Sequence, residues 1–464
     1  MKYRLRFTGK QYATLRARLF PGDGKEAVAL VLCGRRAGED DHIFVARQLH
    51  PVPHEQCAVR TSTQVTWPTT SVPALLQEAM RRRLGVVKVH SHPNGLRTFS
   101  DQDDDSDRSF FASVDAWLDD GLPHGSAVML PEGTMFGRVV EAGTQFRSLD
   151  LVSVAGDDLS FWASGVEPES DGEALVRHRQ LFGEGTVSRL RRLTVAVIGC
   201  SGTGSIVIEQ LARLGVGRLI LVDPESVERK NLNRIVNATM KHAEESALKV
   251  HVLADAIRAM GLGTEVVPIA KNLADPAVIK LVATADVAFG CMDGAEGRHL
   301  LNRLATFYSL PYFDVGVLLE ADGQGGIDQV AGTVHYLQPD GSSLLSRRVY
   351  AMADVEAEGL KRTDPVEYGE RVKANYIRGV RVERPAVISV NMLFASIAVN
   401  EFLSRLHPYR YDLNRDFAVH RISLVQAATY FEGDGPPCKV LAKHVGRGDV
   451  RPLLDMPSLS ERLQ

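Results

Sequence analysis

Two groups of residues in this sequence have types and spacings that could do chemistry. Imidazole and carboxylate side chains are ligands for zinc, and glycine-rich turns between a strand and a helix bind phosphates. The chain therefore has the residues for a hydrolytic metal site and for a nucleotide site. The first group is His90-Ser91-His92-Pro93 with Ser100 and Asp103, and the second is Gly199-Cys200-Ser201-Gly202-Thr203-Gly204.

The two histidines of the first group follow the apolar run GVVKV, which predicts a strand. Residues at i and i+2 of a strand project from the same face, so His90 and His92 can meet one ion. Ser100 has the features of a helix start, and Asp103 returns a carboxylate toward the histidines. Two histidines and one aspartate leave a zinc coordination position open for water, as in catalytic sites. The alternative is that the histidines are ordinary polar residues at a strand end and the acidic run is a solvated face.

The glycine-rich turn lies between the apolar strand LTVAVIG and a helical pattern. Such a turn lets backbone N–H groups and the helix N-terminus approach phosphates closely. Asp223 ends the next predicted strand, where it can accept a hydrogen bond from a ribose hydroxyl. Ser201 stands where a dinucleotide fingerprint has its middle glycine, which weakens an NAD-dependent oxidoreductase without eliminating it. A tight turn with an incidental aspartate is the remaining alternative.

The elements around these groups predict two domains. Up to about Leu149, apolar strands at 27–32, 86–89 and 126–130 accompany one helix at 73–83, which predicts an α+β domain. From Leu193, strands alternate with helices, which predicts a Rossmann-like, mostly parallel sheet flanked by helices. A stretch rich in Gly, Ser, Asp and Glu separates the two. We expect an α/β protein with domains at 1–155 and 176–464 and a linker at 156–175.

Composition excludes several classes of protein. The chain has 464 residues and a net charge of -3, which gives no bulk electrostatic reason to expect a nucleic acid or an anionic membrane as partner. The N-terminus lacks the apolar segment of a secretory signal. The apolar stretch 385–406 is interrupted by Asn391, Asn400 and Glu401, so it predicts a buried helix and not a membrane span. The five cysteines form no Cys-x-x-Cys pair, which fits a reducing cytoplasm and excludes a structural zinc on such pairs.

The first group resembles the motif of the JAMM (MPN-type) metalloproteases. The family pattern, His-x-His, seven residues and then Ser-x-x-Asp, is matched in full by His90, His92, Ser100 and Asp103. The resemblance implies that the two histidines and the aspartate bind Zn²⁺. It also implies that Ser100 stabilises the oxyanion of the reaction.

The same resemblance implies a general base. The family uses a glutamate on an earlier strand to take a proton from the attacking water. Glu26, just before AVALVLCG, occupies the expected region. Glu39 is a weaker substitute, since one sequence does not fix the register.

The second group resembles the ThiF/MoeB superfamily of ubiquitin-activating-type adenylyltransferases. The resemblance rests on VDPESVERKNLNRIV, on Lys249 within ESALKVHVLADAIRAMG, and on Cys291-Met292-Asp293 after an apolar strand. The upstream segment RHRQLFG matches the family's Arg-Gln pair. The resemblance runs from about Val176 to Leu406 and implies ATP and Mg²⁺ as cofactors.

The resemblance assigns a role to individual residues. Glycines admit the nucleotide, one aspartate holds the ribose and another holds Mg²⁺, and amide or cationic groups neutralise the phosphates as pyrophosphate leaves. An arginine acts from the opposite subunit of a homodimer. The glycines are Gly199, Gly202 and Gly204, the ribose ligand is Asp223 and the Mg²⁺ ligand is Asp293. The amide and cationic groups are Asn231, Asn233, Arg234 and Lys249, and the arginine from the opposite subunit is Arg179.

One feature of many relatives is absent from the sequence. The crossover region, about 341–384, contains no cysteine that could carry a thioester. Cys438, in GDGPPCKV, is a candidate nucleophile or a relic of a lost metal site. Adenylation is therefore better supported than thioester transfer.

Together, the two resemblances predict a bifunctional, cytoplasmic protein of a bacterial-type ubiquitin-like modification pathway. One domain would adenylate the C-terminal carboxylate of a ubiquitin-like protein that ends in glycine, and the other would process or remove that protein with zinc. A conjugating enzyme is a further expected partner. The first alternative is a zinc peptidase with a non-catalytic nucleotide-binding scaffold, and the second is the NAD-dependent oxidoreductase.

Overall fold

The computed structural model of the chain describes residues 1–142, 144–165, 173–374, 377 and 385–460. It divides into two compact units. The first consists of Met1–Val166 with two short later segments, Phe307–Ser309 and His444–Asp455. The second contains Glu167–Thr306, Leu310–Lys443 and Met456–Gln464. Both units are mixed α/β structures, as the sequence predicts.

The first unit is built on a nine-stranded mixed sheet with the order β11-β10-β1-β3-β2-β6-β7-β8-β9. Strands β4 and β5 form a separate pair. The strands are β1 (Lys2–Thr8), β2 (Val28–Ala37), β3 (Asp41–Pro51), β4 (Val59–Arg60), β5 (Val65–Thr66), β6 (Gly85–Ser91), β7 (His124–Met129), β8 (Met135–Glu141), β9 (Gln145–Ser148), β10 (Leu151–Ala155) and β11 (Leu159–Ala163). The helices are α1 (Gly9–Leu19), α2 (Val72–Arg82) and α3 (Asp101–Leu118).

The central strands of this sheet are buried on both faces. Every residue of β6 is buried, and β6 pairs antiparallel with β2 and parallel with β7. One core contains Leu15, Val31 and Val89, while the other packs α2 and α3 on the opposite face through residues such as Leu76 and Phe111. Burial on both faces explains why GVVKV is a continuous apolar run apart from Lys88.

The second unit is built on an eight-stranded sheet with the order β14-β13-β12-β15-β16-β17-β18-β19. The first five strands in this order, β14, β13, β12, β15 and β16, run parallel to one another. Strands β17, β18 and β19 each pair antiparallel with the strand before them. The strands are β12 (Thr194–Ile198), β13 (Arg218–Val222), β14 (Glu265–Ile269), β15 (Val287–Gly290), β16 (Tyr312–Ala321), β17 (Ile327–Leu337), β18 (Val419–Ser423) and β19 (Ala428–Glu432). The helices are α4 (Val176–Arg192), α5 (Gly202–Arg213), α6 (Met240–Glu244), α7 (Lys249–Met260), α8 (Pro276–Val282), α9 (Ala295–Phe307), α10 (Met352–Thr363), α11 (Pro365–Lys373) and α12 (Ile388–Leu406).

Two predicted boundaries differ from the structure. Part of the predicted linker at 156–175 forms strand β11, which pairs with β10 because Leu159 and Phe161 contribute apolar side chains that become buried. Residues 166–172 of that linker lie outside the described residues. The segment His444–Asp455 belongs to the first unit, although the prediction assigned it to the second domain. Its backbone pairs with the end of β2, where Gly34 donates to the carbonyl of Gly446 (3.1 Å).

The long apolar helix has the place that the sequence predicts. Residues 388–406 form α12, whose middle and end are buried. Among the described residues, no helix has the length and apolar character needed to cross a membrane.

Candidate metal centre and nucleotide cavity

The end of β6 and the start of α3 bring three metal-ligating side chains together. The Nε2 atoms of His90 and His92 are 3.0 Å apart. Asp103 Oδ1 is 2.9 Å from His90 Nε2, and Asp103 Oδ2 is 3.5 Å from His92 Nε2. Among the described residues, these three form the one cluster whose ligand atoms all lie within 4.8 Å of one another.

The helix start at Ser100 orients the aspartate. The Ser100 hydroxyl accepts from Asp103 N (3.2 Å) and donates to Asp103 Oδ2 (2.7 Å), while Ser100 N also donates to Asp103 Oδ2 (2.8 Å). This is a capping box, with the carboxylate in the role that glutamate usually has. The predicted oxyanion role of Ser100 stays a prediction, since its hydroxyl hydrogen is here directed at Asp103.

The donor set fits a zinc ion. His92 Nδ1 is 2.9 Å from the carbonyl oxygen of Leu96, which fixes the ring and leaves Nε2 free to bind a metal. His90 and His92 are buried, and His90 Nδ1 has no hydrogen-bond partner in the part of the chain that the structure describes. Two nitrogen donors and one carboxylate are typical of a three-ligand catalytic zinc site.

The electrostatics of the cluster favour an ionised aspartate. Burial alone would raise the pKa of Asp103, but the hydrogen bonds with His90 and His92 outweigh burial and lower it well below its usual range. Burial lowers the pKa of His90 and so favours its neutral form. A charged carboxylate and a neutral imidazole are the states in which these groups bind metal ions.

Glu26, the predicted general base, lies near His92 and Asp103, and its role stays a prediction. Strand β2 starts two residues later, its register pairs Val28 with His90, and His92 and Asp103 lie close enough to Glu26 to affect the pKa of its carboxyl. Glu26 is buried, and this burial raises the pKa of its carboxyl to about 7. A carboxylate with a pKa near neutrality can both accept and release a proton. Glu39 is exposed just beyond the opposite end of β2, away from the histidines.

A buried ion network, which the sequence analysis missed, lies beside the metal ligands. Lys88 of β6 pairs with Asp107 of α3, and its Nζ donates to Ser106 Oγ (3.2 Å). Arg138 of β8 donates to Asp107 Oδ2 through Nε (3.1 Å) and Nη2 (2.7 Å), and it also pairs with Asp104. A signal existed in the sequence, because Lys88 interrupts an apolar strand two residues before His90.

The glycine-rich turn forms the edge of a cavity of about 760 Å³ in the second unit. Gly199 has φ +90°, and a Cβ there would lie 2.6 Å from the carbonyl oxygen of Cys291. A Cβ on Gly204 would lie 1.8 Å from the carbonyl oxygen of Gly199. Glycine is therefore required at both positions for the turn to pack between β12, α5 and β15.

Asp223 follows β13 and borders the same cavity. Its carboxylate accepts hydrogen bonds from Cys200 N (2.7 Å) and Glu225 N (2.9 Å). Burial raises the pKa of Asp223, and the nearby Lys249 opposes that effect. These bonds fix the carboxylate at the carboxyl end of the strands, where nucleotides bind in parallel α/β sheets.

Cationic and amide groups also line the cavity. Lys249 is the first residue of α7, is buried, and pairs with Glu225. Arg234 lines the cavity and donates to the carbonyl oxygen of Lys230 (2.8 Å). Asn231, Asn233 and Asp293 are also among the lining residues, so the cavity brings together the predicted phosphate and Mg²⁺ ligands.

Two predicted residues lie elsewhere. Arg179 is on α4, where it pairs with Glu184 (3.5 Å), and it does not line the cavity of its own chain. Cys438 is buried, with 3% of its surface exposed, and its backbone N donates to the carbonyl of Gly341 (2.9 Å). Its burial and its absence from the cavity wall count against the predicted nucleophile. The crossover residues 375–376 and 378–384 lie outside the described residues.

Sequence reasoning also missed lining residues of the cavity. Glu358 of α10 accepts a hydrogen bond from Glu296 N (2.9 Å) at the start of α9, and both glutamates line the cavity. Asn391 of α12 lines it as well. These residues are distant in sequence from the glycine turn, so no local pattern identifies them.

The first unit has a cluster of metal-ligating side chains on a mixed sheet, and the second has a cavity at the glycine-rich turn of a Rossmann-like sheet. Residues 175–428 match the ThiF family, and residues 10–135 match the prokaryotic homologs of the JAB domain. The chain belongs to the ThiF family. The predicted fusion of a JAMM/MPN-type domain with a ThiF-type domain is confirmed.

Curated relatives match the chain over part of its length. Adenylyltransferase and sulfurtransferase MOCS3 of Bos taurus is 36% identical over 132 residues, which cover 28% of each protein. SAMP-activating enzyme E1 of Haloferax volcanii is 32% identical over 138 residues, 29% of this chain and 49% of that enzyme. Ubiquitin-like modifier-activating enzyme 5 of Aedes aegypti is 26% identical over 160 residues, 32% of this chain and 38% of that protein. The chain thus spans less than half of each relative.

Solved structures of E. coli MccB also resemble the chain. The match to the structure of MccB with ATP has 18% sequence identity and a TM-score of 0.44, and it covers 59% of this chain and 76% of the MccB chain.

Proposed function

We propose that the second unit adenylates the C-terminal carboxylate of a ubiquitin-like protein that ends in glycine, with ATP and Mg²⁺. The single observation that carries this proposal is the cavity where Gly199, Asp223, Lys249 and Asp293 meet. Membership of the ThiF family supports it, as do the activities in the names of the relatives.

The residues of the cavity have separate roles in this reaction. The substrate carboxylate attacks the α-phosphorus of ATP, a new P–O bond forms, and the bond to pyrophosphate breaks. Lys249 and Arg234 neutralise the charge that develops on the phosphates, and Asn231 and Asn233 donate hydrogen bonds. Asp223 binds the ribose, and Asp293 is the residue that would hold Mg²⁺. Arg179 acts on the nucleotide of a second copy in a homodimer.

Pyrophosphate exchange tests this proposal. We expect labelled pyrophosphate to enter ATP when small proteins or peptides ending in Gly-Gly are present. Lys249→Met should reduce the exchange by about 100-fold or more, because a cation that faces the developing charge is lost. Lys241→Met is the matched control, since Lys241 is exposed on α6 and should leave exchange unchanged. Binding of ATP without exchange by any such substrate would contradict adenylation and favour a non-catalytic scaffold. Tighter binding of NAD than of Mg-ATP would favour the oxidoreductase.

We propose further that the first unit is a zinc peptidase that processes or removes the same ubiquitin-like protein. His90, His92 and Asp103 would hold the ion, which supplies Lewis acidity and lowers the pKa of a water that it binds. Glu26 takes a proton from the attacking water and passes it to the leaving amine. The convergence of the three ligand atoms beside the buried Glu26 supports this role.

Metal content and cleavage separate the roles of these residues. His92→Ala should lose bound zinc, as measured by elemental analysis, whereas His251→Ala, on the exposed face of α7, should not. Glu26→Gln should keep zinc but lose about 100-fold or more of the cleavage of a Gly-Gly isopeptide, because general base catalysis is typically worth that factor. Glu39→Gln is the matched control. Unchanged zinc in His92→Ala would refute the ligand assignment.

A further inference from the structure

The carboxamide of Asn391 is a polar group at the wall of the cavity. Asn391 has 5% of its surface exposed and lines the cavity. In the part of the chain that the structure describes, its side chain makes no hydrogen bond. Its amide atoms keep accessible surface at the cavity wall, so they can bond a group that lies inside the cavity.

The other buried asparagines of the second unit differ in this respect. Asn231 Oδ1 accepts from Glu228 N (3.1 Å), and Asn302 Oδ1 accepts from Leu344 N (2.8 Å). Asn414 Nδ2 donates to the carbonyl of Ser404 (3.0 Å). Each of these amides stabilises a turn or a loop of the protein. Asn391 does not, so a structural role in the fold does not explain its amide.

Helix packing directs this amide at the start of α5. The two helices are joined by Gln210 Nε2 of α5, which donates to Ser396 Oγ of α12 (2.9 Å). A Cβ built on Gly202, the first residue of α5, would lie 2.2 Å from Asn391 Nδ2 and 3.3 Å from Arg234 Cδ. The amide nitrogen of Asn391 therefore lies directly against the N-terminus of α5. Beside it lies Arg234, a cationic residue that lines the cavity.

This position favours a phosphate as the ligand. The first N–H groups of a helix have no intrahelical acceptor, and with the helix dipole they attract anions. An amide N–H beside them adds a donor at the same place. The absence of a side chain at Gly202 is what allows both the amide and a ligand to approach the backbone.

We propose that Asn391 binds the phosphate chain of the nucleotide through its amide N–H, together with the N-terminus of α5. This inference rests on the proposed function of the cavity as a nucleotide site. It gives α12 a role in ligand binding in addition to packing.

Calorimetric titration of the full-length protein with Mg-ATP tests the inference. Asn391→Ala should weaken the binding of Mg-ATP by about tenfold or more, because a hydrogen bond to a charged group is lost. Asn391→Asp is nearly isosteric and should weaken it further, since a carboxylate repels phosphate. Asn400→Ala is the matched control: this asparagine lies on the exposed face of α12 and bonds the carbonyl of Ser396. Adenosine, which has no phosphate, should bind equally to all variants.

The outcomes distinguish this inference from the proposed function. Wild-type protein that does not bind Mg-ATP would overturn both. Wild-type protein that binds Mg-ATP, with Asn391→Ala and Asn391→Asp each within twofold of it, would overturn only the role of Asn391. Equal weakening for ATP and adenosine would place the contact away from the phosphates and also overturn it. Thermal unfolding of each variant without nucleotide checks folding, and Asn391→Asp decides the question if the alanine variant is unfolded.

Discussion

Replacing Asp107 with asparagine removes the central charge of the ion network beside the metal ligands. Asp107 is fully buried, and Lys88 and Arg138, its two partners, are 4% and 7% exposed. Its carboxylate joins three elements, since Lys88 lies on β6, Asp107 on α3 and Arg138 on β8. The substitution therefore leaves two buried cations with one fewer anion between them.

The size of the effect follows from which charges remain paired. Removal of one partner from a buried ion pair typically costs about 3–5 kcal/mol, because the other charge stays buried without compensation. We expect this cost for Asp107→Asn. Lys88→Met should cost less, about 1–3 kcal/mol, because Asp107 keeps its two N–H bonds from Arg138. The order of the two costs is the specific prediction.

Tryptophan fluorescence measures this cost in the first unit alone. The chain has three tryptophans, Trp67, Trp117 and Trp162, and all of them lie in the first unit. Urea unfolding followed by this signal therefore reports the free energy of that unit. Asp105→Asn is the matched control on α3, because Asp105 is 85% exposed and its pair with Arg108 should be worth about 1 kcal/mol or less.

Two results would refute this reasoning. The first is an unfolding midpoint of Asp107→Asn that equals that of the Asp105→Asn control. The second is a larger loss of unfolding free energy for Lys88→Met than for Asp107→Asn. The charge of Lys88, and not that of Asp107, would then contribute most to the stability of the network.

Two further predictions concern the second unit. Gly204→Ala should abolish Mg-ATP binding in calorimetry, because its Cβ would lie 1.8 Å from the carbonyl oxygen of Gly199, whereas Gly369→Ala, with no atom within 4 Å, should bind normally. Burial tends to raise the pKa of Glu401, but the hydrogen bond with His420 and the nearby arginines lower it to about 2, below its usual value of 4.5. The stabilisation from ionised Glu401 is therefore complete above about pH 5 and is lost as the pH falls toward 2. Glu401→Gln should lower the melting temperature by far-UV circular dichroism at pH 7 and flatten its decline in acid; an unchanged acid profile would contradict this.

Local periodicity is enough to predict one part of the metal site. A strand brings residues i and i+2 to one face, and His92, the residue after β6, continues this alternation, so its Nε2 lies 3.0 Å from that of His90. The position of Glu26 depends on a different kind of information. It is set by the antiparallel register of β2 and β6, which a single sequence does not fix and which the structure gives as Val28 opposite His90.

Long-range packing explains what the sequence could not predict. The antiparallel β17, β18 and β19 extend the parallel sheet through pairings between distant segments, and β11 forms within the predicted linker because it can pair with β10. Asn391 is 189 residues after Gly202 in the chain and reads as a polar interruption of a buried helix. Its contact with the glycine turn exists only because α12 packs along α5.

The Ser100–Asp103 pair illustrates how a helix cap can also organise a metal ligand. Asp103 Oδ2 accepts from the backbone N and the hydroxyl of Ser100, and these bonds hold Oδ1 at 2.9 Å from His90 Nε2. A hydroxyl has one hydrogen, so Ser100 cannot donate to Asp103 and to a substrate oxyanion at the same time. In the arrangement seen here, Ser100 therefore acts through Asp103 as a positioning residue. Any direct contribution to catalysis requires Asp103 to give up the hydroxyl bond and to rely on the backbone N–H of Ser100 for its orientation.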